Sequence, residues 1–171
     1  DAVIKFFEDQ SQTLQQLNSL LKGPQDIAKS VQQLQEENTQ LKKELNDLQR
    51  LKSQVVAKEV LREIKEVKGI SFLAKKVDME APALKDLSFE LGKKFDNLFL
   101  VLGATKGDKP IISCYISKAL VSEKGMDAGK VVRELGKYIQ GGGGGQPFFA
   151  TAGGKKTAGI TQALAEAINL I

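Results

Sequence analysis

The stretch from Gly141 to Lys156, GGGGGQPFFATAGGKK, limits what this chain can fold into more than any other. Five consecutive glycines are followed, after a short apolar segment, by the pair Gly153 and Gly154. Glycine loses more conformational freedom on folding than any other residue, so an ordered run of five implies that backbone must approach something closely. A flexible linker would tolerate the run, but such linkers are usually rich in serine and separate domains. Apolar sequence flanks this run on both sides, which puts it inside a folded unit. It reads as a loop whose backbone approaches either packed chain or a ligand.

At 171 residues there is room for one ordinary domain and an appendage. The chain starts at Asp1 without an initiator Met and reads as a piece of a longer protein or a processed one. Neither a signal peptide nor an apolar run of spanning length is present, so no membrane partner is expected. The single cysteine, Cys114, excludes an internal disulfide and, with the missing signal, points to a cytoplasmic setting. There is no histidine, which removes the commonest general base, the commonest metal ligand and the usual triads. Zinc would need more cysteines. No catalytic residue, metal or cofactor is therefore expected.

The formal net charge is +4. Residues 1–69 balance eleven basic against eleven acidic side chains, so the whole excess lies in residues 70–171, with fourteen against ten. That distribution mildly favours a polyanionic partner for the C-terminal part.

Residues 1–68 read as helix throughout. Val3, Phe7, Leu14, Leu17 and Leu21 recur at helical spacing. Gly23 suits a left-handed helix end and Pro24 the first turn of the next helix. A heptad seam follows through Ile27, Val31, Leu34, Asn38, Leu41, Leu45, Leu48 and Val55, then drifts to Val60, Ile64 and Val67. Two packings fit. The first helix folds back on the second as a hairpin, or the second pairs with its copy in a homodimer whose register Asn38 sets. The other reading of Asn38 is a solvated break in the apolar face, and the sequence leaves both open. Because the second helix outruns the first, a hairpin leaves seam uncovered for a second copy or for another part of the protein.

Residues 69–171 read as an α/β (α+β-like) globular domain preceded by that long helical hairpin or coiled-coil subdomain. Gly69 is expected to end the long helix. Strands are expected at Ile70–Val77, Leu98–Leu102, Ile111–Ile116 and Phe148–Ala152. Helices are expected along Leu84, Leu87, Ser88, Leu91 and Phe95, along Val131, Val132, Leu135 and Ile139 behind the cap Asp127, and along Ile160 to Ile171 behind Thr157.

The glycine stretch is neither of two familiar phosphate loops. Phe149 stands five before Gly154 and Lys156 follows Lys155, which excludes a P-loop. Gln146 and Pro147 occupy the places of a third glycine, and a strand follows, which excludes the dinucleotide fingerprint. What remains is a loop exposing backbone N–H groups, which bind phosphate oxygens well. Gly141, Gly142, Gly143, Gly144 and Gly145 are the candidates, with Lys155 and Lys156 at a helix start. Lys75 and Lys76 point to opposite faces of a strand, and Lys93 and Lys94 sit at a helix end, where the dipole alone favours lysine. Cys114, Tyr115 and Tyr138 read as core.

The stretch GGGGGQPFFATAGGKK resembles the glycine-rich signature of the C-terminal domain of alanyl-tRNA synthetase, a domain type also found behind DHH phosphoesterase domains. Gly141–Gly145, Pro147, Ala152, Gly153 and Gly154 carry the resemblance, and Gln146 stands where that family usually has Arg. The helical LNSLLKGPQDIAKSVQQLQEENTQLKKEL segment resembles the synthetase's linker, so the likeness spans essentially the whole chain. The phosphoesterase branch usually follows its glycines with His, which is absent. The resemblance implies a non-catalytic module that binds the outer corner of an alanine-specific tRNA, partners the rest of the synthetase chain, and helps couple aminoacylation to editing. Contacts are expected from Gly141–Gly145, Gln146, Lys155, Lys156, Lys75, Lys76, Lys93 and Lys94. Two other readings stay open: the substrate-binding half of a DHH-type phosphoesterase, and a purely structural dimerisation module.

Overall fold

Helix α1 (Ala2–Leu20) ends where two successive residues turn left-handed, Lys22 at φ 64° and Gly23 at φ 74°. The Gly23 N–H donates back to the Asn18 carbonyl at 2.8 Å, closing the helix end. Pro24 does not open the next helix. It lies in the connection, and Asp26 caps α2 (Ile27–Glu63) by accepting from the Lys29 N–H at 2.9 Å. The computed structural model describes residues 2–171 and divides into two compact units, 1–50 and 51–171, with the division inside α2.

In the first unit no residue of α1 is buried. The two helices approach one another at their corner, where Leu20, Leu21 and Lys22 meet Ser30, Gln33, Leu34 and Glu37. The heptad seam stays open: Val31, Leu34, Leu41, Leu45 and Leu48 are between 39% and 64% exposed, and Asn38 is exposed with them.

The second unit is built on a six-stranded mixed sheet of order β1-β2-β3-β4-β6-β5. Its strands are β1 (Lys65–Val67), β2 (Ile70–Lys76), β3 (Leu98–Lys106), β4 (Lys109–Ile116), β5 (Gly142–Gln146) and β6 (Phe149–Gly153). Only β2 and β3 run parallel. The helix expected to reach residue 68 therefore stops at Glu63, and Gly69 does not end it. Lys68 (φ 52°) and Gly69 (φ 74°) form the two-residue turn between β1 and β2, a geometry that needs left-handed backbone at both positions.

The two faces of the sheet carry separate cores. Ile70, Phe99, Val101, Ile112, Cys114 and Ile116 face helices α4 (Lys118–Lys124), α5 (Ala128–Tyr138) and α6 (Gly159–Glu166). Leu73, Leu98, Leu100 and Leu102 face α3 (Ala81–Gly92) and Val60 in the last turns of α2. Burial on both faces makes β3 a continuous apolar run. At about 25 cal/mol per Å² of apolar area, such two-sided burial is the main driving force for the unit.

Asp127 caps α5 as its sequence position suggests, accepting from the Gly129 N–H at 2.7 Å and the Lys130 N–H at 3.2 Å. Thr157 does not cap α6. The helix starts behind Ala158 with no side-chain cap, because Gly159 is pressed against the Tyr138 carbonyl and packing sets the start. Helix α4 carries no sequence signal beyond its Gly125 terminus, in the left-handed region at φ 65°.

Candidate nucleic-acid interface

The glycine run is a strand, not a loop. Gly142–Gln146 pairs antiparallel with Phe149–Gly153, joined through Pro147 and Phe148, and forms the outer edge of the sheet. Pairing runs from Gly142 opposite Gly153 to Gln146 opposite Phe149. The connection is pinned from two sides, since the Ala128 N–H donates to the Pro147 carbonyl at 2.8 Å and the Ile116 N–H to the Phe148 carbonyl at 2.9 Å.

The glycines divide by parity. A Cβ on Gly143 would stand 2.7 Å from the Ala152 Cβ and closer still to the Thr151 carbonyl. One on Gly145 would stand 2.6 Å from the Ala150 Cα, and one on Gly141 2.6 Å from the Gly154 Cα. These three positions admit no side chain because the opposing atoms are mainly backbone. They lie on the face covered by α5, whose Gly136 and Gly129 bring it down onto β5: the Gly141 and Gly145 carbonyls lie 3.4 and 3.6 Å from where those residues' Cβ atoms would be.

Gly142, Gly144 and Gly153 are different. Nothing lies within 4 Å of a Cβ on any of them. Side chains alternate across a strand, so these residues share the opposite face with Gln146, Phe149 and Thr151. The β4 neighbours in the same rows are Tyr115, Ser113 and Ile111. The result is a bare backbone surface on β5 and β6, and packing inside the chain does not account for its glycines.

The expected basic side chains are not all brought together: Lys75 and Lys76 lie on β2, separated from β5 by β3, β4 and β6, whereas Lys155 and Lys156 follow β6 and Lys93 and Lys94 lie by Tyr115 in the row of Phe149 and Gln146. Lys155 and Lys156 follow β6 and are exposed, but both of their backbone N–H groups donate to the Ile139 carbonyl at 2.9 Å. Their contribution to an anion is thus through the ammonium groups. Lys93 and Lys94 follow α3, directly after Gly92, which packs on the Tyr115 ring. Among the described residues, Lys76, Lys93, Lys94, Lys155 and Lys156 have no ion-pair partner, whereas Lys75 has two. Its Nζ lies 2.6 Å from Glu63 Oε1 and 3.6 Å from Glu59 Oε2, tying β2 to α2. The Glu63 carboxylate, accepting its hydrogen bond, holds the Lys75 pKa above the usual lysine value.

Two cations near the edge carry no distinct sequence signal. Lys130 and Arg133 are exposed on α5, and Arg133 Nη2 lies 3.6 Å from the Cβ position of Gly129, beside the Gly145 carbonyl. They stand on the polar face of a strongly amphipathic helix, which by itself reads as a solvated surface. Lys137 on the same face is paired with Glu134 at 2.5 Å.

Cys114 and Tyr115 are core residues. Burial pushes both pKa values up, for Cys114 with a smaller contribution from Asp127, so the thiol stays protonated and unreactive. Among the described residues no group of three His, Cys, Asp or Glu could hold a metal ion, and no helix is long and apolar enough to cross a membrane.

Comparison with known proteins gives the chain's family and its relatives. The DHHA1 domain family model matches residues 69–171. The chain is 48% identical over its full length to an alanine–tRNA ligase of Christiangramia forsetii and 45% identical to that of Flavobacterium psychrophilum. It spans about a fifth of the length of these relatives, 20% and 19% respectively. Among solved structures, the C-Ala domain of Aquifex aeolicus alanyl-tRNA synthetase superposes with a TM-score of 0.57 at 25% identity, covering 62% of this chain and 95% of that one.

Proposed function

Because the chain belongs to the DHHA1 domain family and is similar over its whole length to alanine–tRNA ligases, we propose that it is the non-catalytic, tRNA-binding C-terminal part of such a ligase. One observation carries the reading: Gly142, Gly144 and Gly153 have no neighbour that would forbid a side chain. A bare edge lets a sugar–phosphate backbone come against the protein main chain. As an edge strand, β5 also has backbone N–H and C=O groups that the sheet leaves unpaired. Lys155, Lys156, Lys93 and Lys94 supply charge, and Lys130 and Arg133 add to it from α5; Lys76, on β2, lies away from this edge. Phosphate contacts of this kind position a nucleic acid without reading its sequence. Folded RNA offers its backbone and 2′-hydroxyls more readily than its paired base edges, which suits recognition of the tRNA outer corner by shape.

In a full-length ligase this module would hold one tRNA while aminoacylation and editing act on it in turn, in the cytoplasm, with the alanine-specific tRNA as ligand. The exposed seam of Val31, Leu34, Leu41, Leu45 and Leu48 around Asn38 would pair with a second copy.

The test compares binding of folded tRNA and of single-stranded RNA of equal length at two salt concentrations. Tighter, salt-sensitive binding of the folded tRNA is expected. The Gly142→Val/Gly144→Val double variant should keep its fold and lose affinity. Lys155→Ala/Lys156→Ala should flatten the salt dependence, by roughly 0.7–0.9 in slope for each phosphate that is no longer neutralised. Equal binding of both RNAs, with neither variant impaired, sinks the proposal. Sedimentation of wild type against Leu41→Asp/Leu45→Asp tests the second copy, and a monomer in both cases excludes it.

A further inference from the structure

We propose that Phe148 and Phe89, at the Gln146 end of the bare strand face, form a shelf on which an unpaired nucleobase stacks, giving this module a preference for RNA that displays an open base over continuous duplex. The inference rests on the RNA-binding reading and adds a base contact to one made of phosphates and sugars.

Four of the chain's ten Phe and Tyr residues gather at this place. Phe89 on α3 is the centre. Its ring lies 5.3 Å from Phe149 at 42°, 5.5 Å from Tyr115 at 76° and 6.2 Å from Phe148 at 70°. Apart from Tyr115, the buried residues of this core face carry no ring, with Leu73, Leu84, Leu87, Leu91, Leu98, Leu100 and Leu102 among them, and Phe95 packs at its margin. Phe89, Phe148 and Phe149 are only half-buried, and Phe148 belongs to neither core. Filling the core therefore does not explain Phe148, which the hairpin holds at the sheet edge through the pinned Pro147 and Phe148 carbonyls. A flat ring on a backbone held by hydrogen bonds has only two side-chain torsions and loses little freedom when a base settles on it.

The surroundings select the occupant. Gly92 abuts the Tyr115 ring, and Lys93 and Lys94 follow it without an ion-pair partner among the described residues. Partly buried aromatics beside free cations and next to side-chain-free strand backbone are the combination that holds single-stranded nucleotides, in which bases stack while phosphates meet lysines. An apolar protein partner would make use of the rings and leave the lysines without a role.

The experiment uses the full chain and a hairpin RNA carrying 2-aminopurine either in its loop or in its stem. Loop 2-aminopurine should be quenched on binding and stem 2-aminopurine should not. Phe148→Leu keeps apolar bulk and removes the flat ring. It should weaken the loop RNA by roughly five- to a hundredfold, the usual range for one base–aromatic stack, with the salt slope unchanged. Lys93→Ala/Lys94→Ala should lower the slope instead. Phe89→Leu is the second variant, with circular dichroism confirming the fold of each. If wild type binds RNA but neither Phe variant weakens it and the loop base is not quenched, the shelf is refuted while RNA binding stands. If wild type binds no RNA, both readings fall.

Discussion

Gly143 lies directly opposite Ala152 across β5 and β6, so close that a methyl group on Gly143 would stand 2.7 Å from the Ala152 Cβ. Its neighbour Gly144, opposite Thr151, has nothing within 4 Å of the same position. One glycine is required by the fold and the next is free of it.

That contrast gives a stability prediction. Gly143→Ala forces two paired strands apart, because the nearest atoms belong to backbone, and should cost about 1–3 kcal/mol. Gly144→Ala should stay within about 0.5 kcal/mol of wild type, since a methyl group there meets only open space. Urea unfolding midpoints for the two variants check both. Equal loss in the two would mean that the open face is covered in solution.

Asp127 holds the start of α5, the helix that lies over the glycine strand. Asp127→Ala removes the acceptor of the Gly129 and Lys130 N–H groups and should cost about 0.5–2 kcal/mol. Asp127→Asn keeps a cap oxygen and should recover most of it. Protection of the β5 amides in hydrogen exchange should fall in the alanine variant, because the strand rests on this helix.

The alkaline limb of stability should carry the signature of Cys114. Burial holds its pKa above the ordinary value of 9.0, so above that pH the unfolded chain gives up a proton that the folded chain keeps. Stability is then fully present below about pH 9 and is lost as pH rises toward the folded value. Tyr115 and Lys75, also raised, from 10.0 and 10.5, act in the same direction at higher pH. Denaturant midpoints between about pH 8 and 10 should fall for wild type and stay flatter for Cys114→Ala. Parallel curves would remove Cys114 as the cause.

Much of this was legible in the chain itself. Apolar runs and spacings placed β2, β3, β4, α3 and α5 nearly where they lie, because burial on one face or two imposes its period on the side chains. Asp127 was legible as a cap because a short acceptor one residue before a helix has a local purpose. The glycine stretch stood out as a place of close approach. Residues 64–68 misled, because the helical apolar spacing runs past Glu63 into a three-residue strand that forms only when β2 is there to pair with it. Thr157 misled in the same way, since the start of α6 is decided by Gly159 packing on Tyr138.

Composition and local pattern alone therefore determined the absence of histidine, the basic C-terminal part, the long helices and the presence of a glycine-built surface. Tertiary structure decided that the surface is an edge strand, that alternate glycines serve packing while the others lie open, that Lys75 is held by Glu63, and that four aromatics meet at one end of the strand. The reason is physical: a residue's propensity and period act over a few positions, whereas which face of a strand is covered depends on segments far away in sequence.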